Sequence, residues 1–215
     1  MFKKSMFFIV LITFLFCNLS AEKKEQQLNI SINTNAMSEL ELATFGNGCF
    51  WCTEAIFERL AGVTQVEPGY AGGEVKEPSY KEVCEGNTGH AEVIRLTFNP
   101  EIISYRELLD VFFNTHDPTT LNRQGADVGT QYRSAIFYHN QAQKREAEKI
   151  IVALENENVF GAKIVTEIIA INNYFPADNY HQDYYNNNKN EGYCRMVINP
   201  KLKKFTEKYK DKLKK

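Results

Sequence analysis

Alternating apolar and polar residues predict the first strand of the fold, and a helical repeat follows it directly. Residues 39–46, ELELATFG, alternate as the residues of a half-buried strand do. Gly46 and Gly48 then turn the chain, and the apolar residues of CFWCTEAIFERLAG recur at helical spacing until Gly62. The pattern therefore places Cys49 where a glycine turn meets the start of a helix.

Strands and helices are interleaved along the rest of the chain. The stretches HAEVIRLTFNP, QYRSAIFYH and AKIVTEIIAIN predict strands, and YRELLDVFFNTH and QAQKREAEKIIVALENEN predict helices. Ser104 and Glu107 form a capping-box pattern before the first of these helices. The polar stretches VEPGYAGGEVKEPSY and HDPTTLNRQGADVGT predict long loops, ADNYHQDYYNNN a short helix or turn, and KLKKFTEKYKDKLKK a solvated helix end. The order predicts an α/β or α+β fold in which helices cover a sheet.

The first 21 residues form a segment of their own. Two lysines precede an apolar run from Met6 to Phe16, and the segment ends with the small residues Ser20 and Ala21. This layout is typical of a secretory signal peptide, and the apolar run is too short to span a bilayer as a helix. We therefore expect a signal peptide at 1–21, cleaved near Ala21, a polar linker at 22–38, and a single catalytic domain at 39–215 with a basic C-terminal tail. An uncleaved anchor is the alternative.

Charge and cysteine content narrow the class of the exported protein. Taking the two lysines of the segment from the 25 basic residues leaves 23, against 27 acidic residues, so the mature formal charge is −4. This balance favours neither a nucleic acid nor an anionic membrane as partner, and we expect a secreted or periplasmic monomer without a stable membrane span. The four remaining cysteines could form structural bridges. Their crowding around one motif favours redox chemistry instead.

Cys49 is the first candidate for chemistry. The exposed N–H groups and the dipole of a helix start stabilise a thiolate, so we expect a pKa below the free value of about 8.5. The alternative is a small buried hydrophobic residue, the usual role of a free cysteine. Phe50 and Trp51, the only tryptophan, follow directly. They could form a pocket for a small apolar group or pack in the core.

Cys52 completes a C-x-x-C motif with Cys49, which is a redox signature in some folds. A metal site would need a second pair of ligands. His90 and Glu92 resemble half of a zinc deaminase signature, but that signature places H-x-E before the cysteine pair, and the order here is reversed. The motif therefore favours thiol chemistry over zinc.

Glu92 is the second candidate, because the alternation of the predicted strand places its side chain on the apolar face. It shares a face with Ile94, Leu96 and Phe98 in the predicted strand. A carboxyl group on that face would be desolvated and its pKa raised, which suits a general acid near neutral pH. The alternative is a strand-end glutamate exposed to solvent.

Three polar residues and two cysteines complete the candidates. Tyr80 and Tyr132 could donate O–H groups to an oxygen that gains negative charge, with Asp127 nearby in the chain. Cys194, in GYC near the end, is a candidate for a mobile disulfide partner of the nucleophile. Cys84, in EVC, is expected to be a buried packing residue.

Several long motifs in one order resemble the A-class peptide methionine sulfoxide reductases. The stretches that carry the resemblance run from about Thr44 to Cys194 and are GCFWC, PSYKEVCEGNTGHAEV, FFNTHDPTTLNRQGADVGTQYRSAIFY, NYHQDYY and GYC. The resemblance implies a ferredoxin-like core, a two-layer arrangement of a mixed sheet and covering helices. It also implies selectivity for the S epimer of methionine sulfoxide, and no metal, flavin or other bound cofactor.

The same resemblance assigns roles by position. It implies that Cys49 attacks the sulfoxide sulfur and that Glu92 supplies a proton to the oxygen. The residues implied to bind the oxygen are Tyr80 and Tyr132 with Asp127 in the same polar site, and those implied to hold the substrate methyl group are Phe50 and Trp51. Cys194 would form a disulfide with the oxidised nucleophile, and thioredoxin or a similar dithiol would reduce it.

One position departs from many relatives and leaves an alternative open. Cys52 follows GCFW, so it could compete with Cys194 as the resolving thiol, although we favour Cys194. A thiol–disulfide oxidoreductase of the thioredoxin kind would use the same C-x-x-C but would leave GHAE and the tyrosines unexplained. A disulfide-stapled extracellular binding module would have no reactive thiol.

Overall fold

The computed structural model describes residues 39–215, and residues 40–215 form one compact unit. The signal peptide expected at 1–21 and the linker expected at 22–38 lie outside the described residues. Within residues 39–215, no helix combines the length and the apolar character needed to cross a bilayer.

A six-stranded mixed sheet forms the centre of the unit. The strands in chain order are β1 (Glu41–Asn47), β2 (Val63–Ala71), β3 (Ala91–Phe98), the short β4 (Arg123–Gln124) and β5 (Asp127–Val128), β6 (Ser134–Tyr138), β7 (Glu167–Ala170) and β8 (Phe175–Pro176). The sheet order is β7-β6-β1-β3-β2-β8, and β4 and β5 pair separately. Only β6 and β7 run parallel among the paired strands of the described sheet.

Four helices lie in the connections between strands, and two follow the last strand. They are α1 (Phe50–Phe57), α2 (Tyr80–Cys84), α3 (Tyr105–Thr115), α4 (Gln141–Asn156), α5 (Tyr184–Asn187) and α6 (Asn199–Lys208), which continues a π-helix at Cys194–Ile198. The succession β1-α1-β2-β3-α3-β6, with β6 and β3 flanking β1, is the ferredoxin-like βαββαβ arrangement. This confirms the expected fold class.

Aromatic residues join the sheet to its helices. The ring of Phe45 in β1 lies 5.8 Å from Phe57 of α1 and 5.2 Å from Phe112 of α3, measured between centroids. Both helices therefore pack on one face of the sheet. On the other face, Val93 belongs to a smaller apolar cluster with Phe137. Alternate residues of β3 thus enter different clusters, as the sequence parity predicts.

Helix α3 begins at the capping box that the sequence predicts. The Ser104 hydroxyl accepts the backbone N–H of Glu107, and the Glu107 carboxylate accepts the backbone N–H of Ser104 at 2.9 Å. Lys212 from the end of the chain pairs with the same carboxylate. The side-chain contacts lower the pKa of Glu107 to about 2, with the Lys212 hydrogen bond as the main cause.

The prediction of a loop over residues 66–80 is wrong for its first part. Residues up to Ala71 belong to β2, which pairs with β3 along its length. Pro68 and the neighbouring glycine favour a loop in the sequence, but β8 covers only two residues of the outer side of β2, where a proline is tolerated. The Pro68 carbonyl oxygen accepts the N–H of Ala177 at 3.0 Å, so that side is still anchored.

The C-terminal segment is not the solvated helix end that its lysines suggest. Leu202, Phe205 and Tyr209 recur on one side of the segment and are buried in the main core. The Tyr209 hydroxyl donates to Asp110 Oδ2 at 2.8 Å. Beyond α6, Leu213 pairs with Leu60, which follows α1. The many lysines of this segment suggested a solvated helix, but its apolar residues recur with the period of a helix and form a buried stripe.

Replacing Ser104 with alanine should lower the free energy of unfolding by about 1 kcal/mol, because one helix N–H loses its side-chain acceptor. Ser104→Thr keeps the capping oxygen and serves as the matched control, with stability expected close to wild type. Urea unfolding at equilibrium measures both variants. Equal stability of the alanine and threonine variants would show that the capping box contributes nothing to this helix.

Candidate active site

The turn before α1 requires glycine, and it leads directly into a buried helix start. Gly48 has φ of +98°, and a Cβ there would lie 2.7 Å from Gln124 Cγ. Cys49 occupies the N-cap position of α1, but its side chain makes no capping hydrogen bond. The first helical N–H, that of Phe50, instead donates to Glu92 Oε2 at 3.0 Å. The Cys49 sulfur is therefore not engaged in capping the helix.

Glu92 is a buried carboxyl group with a raised pKa. It is 1% exposed on the core-facing side of β3, as the strand parity predicts. Burial raises its pKa to about 8, and the charges of Asp127 and Cys52 add to the increase, although the N–H of Phe50 opposes it. At neutral pH this carboxyl group mostly keeps its proton, the state that a general acid needs.

The pKa of Cys49 moves in the opposite direction from the sequence-based expectation. Cys49 is only 7% exposed, and its burial raises the pKa well above the ordinary value. A hydrogen bond to Cys52 and the charge of Glu92 raise it further. The expected depression by the helix start is wrong because desolvation dominates and the Phe50 N–H is already bonded to Glu92.

Cys52 is the second thiol of the C-x-x-C motif and lies within the same site. The hydrogen bond with Cys49 lowers its pKa to about 7, and the positive charge of Lys201 contributes in the same direction. The Cys52 sulfur also lies 3.7 Å from the Tyr193 hydroxyl. Within residues 39–215, no three His, Cys, Asp or Glu side chains come together in a way that could hold a metal ion.

Five rings pack together beside the helix start, and we call them the aromatic wall. Trp51 stacks on Tyr184 at 3.7 Å with an interplanar angle of 8°, and its Nε1–H donates to His181 Nδ1 at 3.2 Å. The Tyr80 ring lies 4.4 Å from the His181 ring. The members of the aromatic wall are Phe50, Trp51, Tyr80, His181 and Tyr184. The structure thus places the two sequence-predicted aromatic residues in one apolar cluster, in which Phe50 is fully buried and Trp51 is partly exposed.

The two candidate tyrosines, Tyr80 and Tyr132, are close to the buried carboxyl group. Both side chains are partly buried. Burial raises the pKa of each phenol, and the charge of Glu92 raises it further. Their hydroxyl groups therefore stay protonated and can donate hydrogen bonds at any physiological pH.

Asp127 enters the site through a tyrosine that the sequence patterns did not indicate. The Tyr193 hydroxyl donates to Asp127 Oδ2 at 2.8 Å and also approaches Cys52. Asp127 belongs to the β4–β5 hairpin, and the neighbouring Gln124 packs on Gly48. The hairpin is thereby fixed against both the helix start and the C-terminal segment.

The two later cysteines differ from their sequence-based descriptions. Cys194 is fully buried at the start of the π-helix rather than on a mobile end. Burial raises the pKa of Cys194, and the charge of Cys52 raises it further. The two thiols are therefore close enough for the charge of one to affect the ionisation of the other. Cys84, expected to be buried, is exposed at the end of α2, because the five-residue helix turns only Val83 into the core.

Sequence reasoning missed the partners that come from the late part of the chain. His181, Tyr184 and Tyr193 all contact residues of the GCFWC motif. The clustering of aromatic and polar residues in NYHQDYY and GYC was the available signal, but helical or strand periodicity cannot reveal a contact across more than a hundred residues.

Comparison with known proteins agrees with this geometry. The sequence model of the peptide methionine sulfoxide reductase family matches residues 41–214 of this chain. A peptide methionine sulfoxide reductase MsrA of Sulfolobus acidocaldarius is 54% identical over 173 residues, which are 80% of this chain and 97% of the relative. The corresponding MsrA of Deinococcus radiodurans is 54% identical over 188 residues, 87% of this chain and 91% of the relative.

Solved structures give the same assignment. The reduced form of Mxr1 from Saccharomyces cerevisiae aligns with a TM-score of 0.67 at 40% identity, covering 74% of this chain and 91% of that one. Methionine sulfoxide reductase A of Corynebacterium diphtheriae aligns with a TM-score of 0.68 at 32% identity, covering 71% and 77%. The chain therefore belongs to the peptide methionine sulfoxide reductase family, A class, and is a thiol-dependent oxidoreductase that reduces methionine S-sulfoxide.

Proposed function

We propose that Cys49 attacks the sulfoxide sulfur while Glu92 protonates the sulfoxide oxygen. One observation carries this assignment: the Phe50 N–H···Glu92 hydrogen bond joins the start of the thiol-bearing helix to a buried carboxyl group. Because burial raises the pKa of Glu92 to about 8, the group holds a proton near neutral pH. Protonated Glu92 also carries no charge, which removes one of the influences that raise the pKa of Cys49.

The atoms and electrons of the first step balance within the site. The Cys49 sulfur bonds to the substrate sulfur, and this S–S bond and the S–O bond then break as the protonated oxygen passes to Cys49 as a hydroxyl group. Cys49 becomes a sulfenic acid, and the substrate sulfur keeps an electron pair as the thioether of methionine. The proton given to the oxygen by Glu92 is replaced by the one that Cys49 loses. Cys52 is hydrogen-bonded to Cys49 and has a pKa of about 7, so it can pass that proton on.

The remaining site residues hold the substrate. Protonated hydroxyl groups of Tyr80 and Tyr132 lie near Glu92 and would donate to the sulfoxide oxygen as its charge grows. Asp127 orients the Tyr193 hydroxyl toward the thiol pair. Phe50 and Trp51, in the aromatic wall, offer an apolar surface to the substrate methyl group.

A second thiol then resolves the sulfenic acid. We assign this role to Cys194, whose thiol displaces water from Cys49 to give a disulfide, and an external dithiol such as thioredoxin returns both sulfurs to thiols. Cys194 is buried in the π-helix, and Cys52 is the thiol hydrogen-bonded to Cys49 in this conformation. Cys52, which belongs to the same helix as the nucleophile, is the competing partner.

Replacing Glu92 with glutamine should slow sulfoxide cleavage by about a hundred- to ten-thousand-fold, since the proton donor is lost. The wild-type rate should fall as the pH rises through about 8, when Glu92 ionises. The glutamine variant should lack that fall. Single-turnover kinetics with free methionine sulfoxide, run across this pH range with dithiothreitol as reductant, measure both effects.

Two comparisons make that experiment decisive. Cys49→Ser should abolish turnover, and retained activity in this variant would overturn the whole assignment. The Glu92→Gln variant should be at least as stable as wild type above neutral pH. In the native protein the pKa of Glu92 is about 8, above that of an exposed glutamate in the unfolded chain. Wild-type stability therefore falls as the pH rises between these two values. Glutamine does not ionise, so the variant lacks this fall. Thermal unfolding measures this difference.

Mass mapping after one turnover without reductant should find the Cys49–Cys194 disulfide as the main product. Cys52→Ser should still form it. Cys194→Ser should instead accumulate a sulfenic acid or a bridge between Cys49 and Cys52. If the wild-type protein yields mainly the bridge between Cys49 and Cys52, Cys52 is the resolving thiol.

We also propose that the enzyme acts outside the cytoplasm, in the periplasm or after secretion. The support is the pattern of residues 1–21, with two lysines, an apolar run and a small residue at Ala21. Expression of the full chain should give an exported protein whose N-terminal sequence begins at or near Glu22. Recovery of the full-length chain in the membrane fraction would instead indicate an uncleaved anchor.

A further inference from the structure

Besides Glu92 on β3, the protein has a buried carboxyl group on α1, that of Glu54. The chemistry proposed above does not use it. Glu54 is 3% exposed, and both of its oxygens accept backbone N–H groups: Oε1 from Asp183 at 2.6 Å and Oε2 from Tyr184 at 3.1 Å. These donors stand some 130 residues later in the chain, at the start of α5. Burial raises the pKa of Glu54 to about 7, although the two N–H groups oppose the rise, and the two hydrogen bonds hold the carboxyl group and this backbone together.

The backbone that Glu54 binds has an uncommon conformation. Asp183 has φ of +53°, the left-handed region, and its own side chain makes no capping bond to α5. A non-glycine residue in this region persists when the surroundings determine it. Glu54 stabilises this conformation, because it accepts the N–H of Asp183 and the first helical N–H after it, that of Tyr184.

The segment fixed in this way contributes His181 and Tyr184 to the aromatic wall. Trp51 and Glu54 stand three positions apart on α1 and therefore share one side of the helix. Trp51 stacks on the ring of Tyr184 and bonds to His181, while Glu54 binds the backbone of the same segment. One side of α1 thus carries both an aromatic ring and the group that sets the position of its stacking partners.

We propose that Glu54 is the positioning residue of the aromatic wall, fixing Tyr184 and His181 against Trp51 and thereby setting the affinity for the sulfoxide side chain. The inference rests on the proposed role of the wall in substrate binding. Glu54 itself does not touch the reacting atoms. Its loss should loosen the bound substrate and leave the chemistry of Cys49 and Glu92 in place.

Glu54→Gln tests the proposal, because an amide has one acceptor oxygen where a carboxylate has two, and its NH₂ group faces a backbone N–H. KM for methionine sulfoxide should rise by about ten-fold, the order expected when one charge-assisted hydrogen bond is lost. The single-turnover rate at saturating substrate should stay within about three-fold of wild type. Asp183→Asn keeps the N–H donor and should behave as wild type in both measurements.

Trp51 is the only tryptophan, so fluorescence reports on the wall independently of activity. In Glu54→Gln the emission should move to longer wavelength as the ring loses its stacking partner, and in Asp183→Asn it should not move. Wild-type KM and wild-type emission in Glu54→Gln would overturn the proposal. An unchanged KM with a lost single-turnover rate would overturn it as well, since Glu54 would then act in the chemistry.

Hydrogen exchange on the wild-type protein provides a test that does not depend on a variant folding. The backbone N–H groups of Asp183 and Tyr184 should exchange slowly, although the Asp183 side chain is exposed. Fast exchange at these two positions would contradict the positioning role of Glu54. A wild-type protein with slow exchange but no sulfoxide reduction would instead refute the proposed function and leave the contact between Glu54 and this backbone intact.

Discussion

The hydrogen bond from the Phe50 N–H to Glu92 is the contact on which the site depends. It spans from the first turn of α1 to the start of β3, and it replaces the capping bond that Cys49 would otherwise make. The sheet thereby sets the direction in which the helix leaves it. A thiol at the N-cap and a buried carboxyl group on the strand are held in one geometry by a single acceptor oxygen.

Burial acts on both groups of this pair and raises both pKa values. For Glu92 the result is a carboxyl group that keeps its proton near pH 7, and for Cys49 it is a thiol that resists ionisation at rest. A buried thiol of this kind is protected from adventitious oxidation, because the thiolate is the reactive form. The burial therefore costs resting reactivity of the thiol and some stability at neutral pH, and it yields a carboxyl group in the protonated state that the proposed mechanism requires.

Features that arise from short sequence periods were predicted correctly, whereas features that depend on distant pairing were missed. Strand parity placed Glu92 in the core, and the capping box at Ser104 fixed the start of α3, because both rules act over a few residues. The strand through Pro68 was missed because its tolerance depends on a neighbour at Ala177. The pKa of Cys49 was wrong because its burial comes from the assembled core, and Glu54 was not noticed because its partners stand far along the chain.

The pairing of Leu60 with Leu213 has a consequence for how the molecule is made. The segment after α1 is closed by the last residues of the chain, and the site between them draws on positions from Gly48 to Cys194. A chain made from its N-terminal end cannot complete this architecture until the segment around Leu213 is available, since such long-range contacts form late. Until these contacts form, the cysteine sulfurs lack the burial that the folded core provides, and their oxidation state follows the redox conditions of the surroundings.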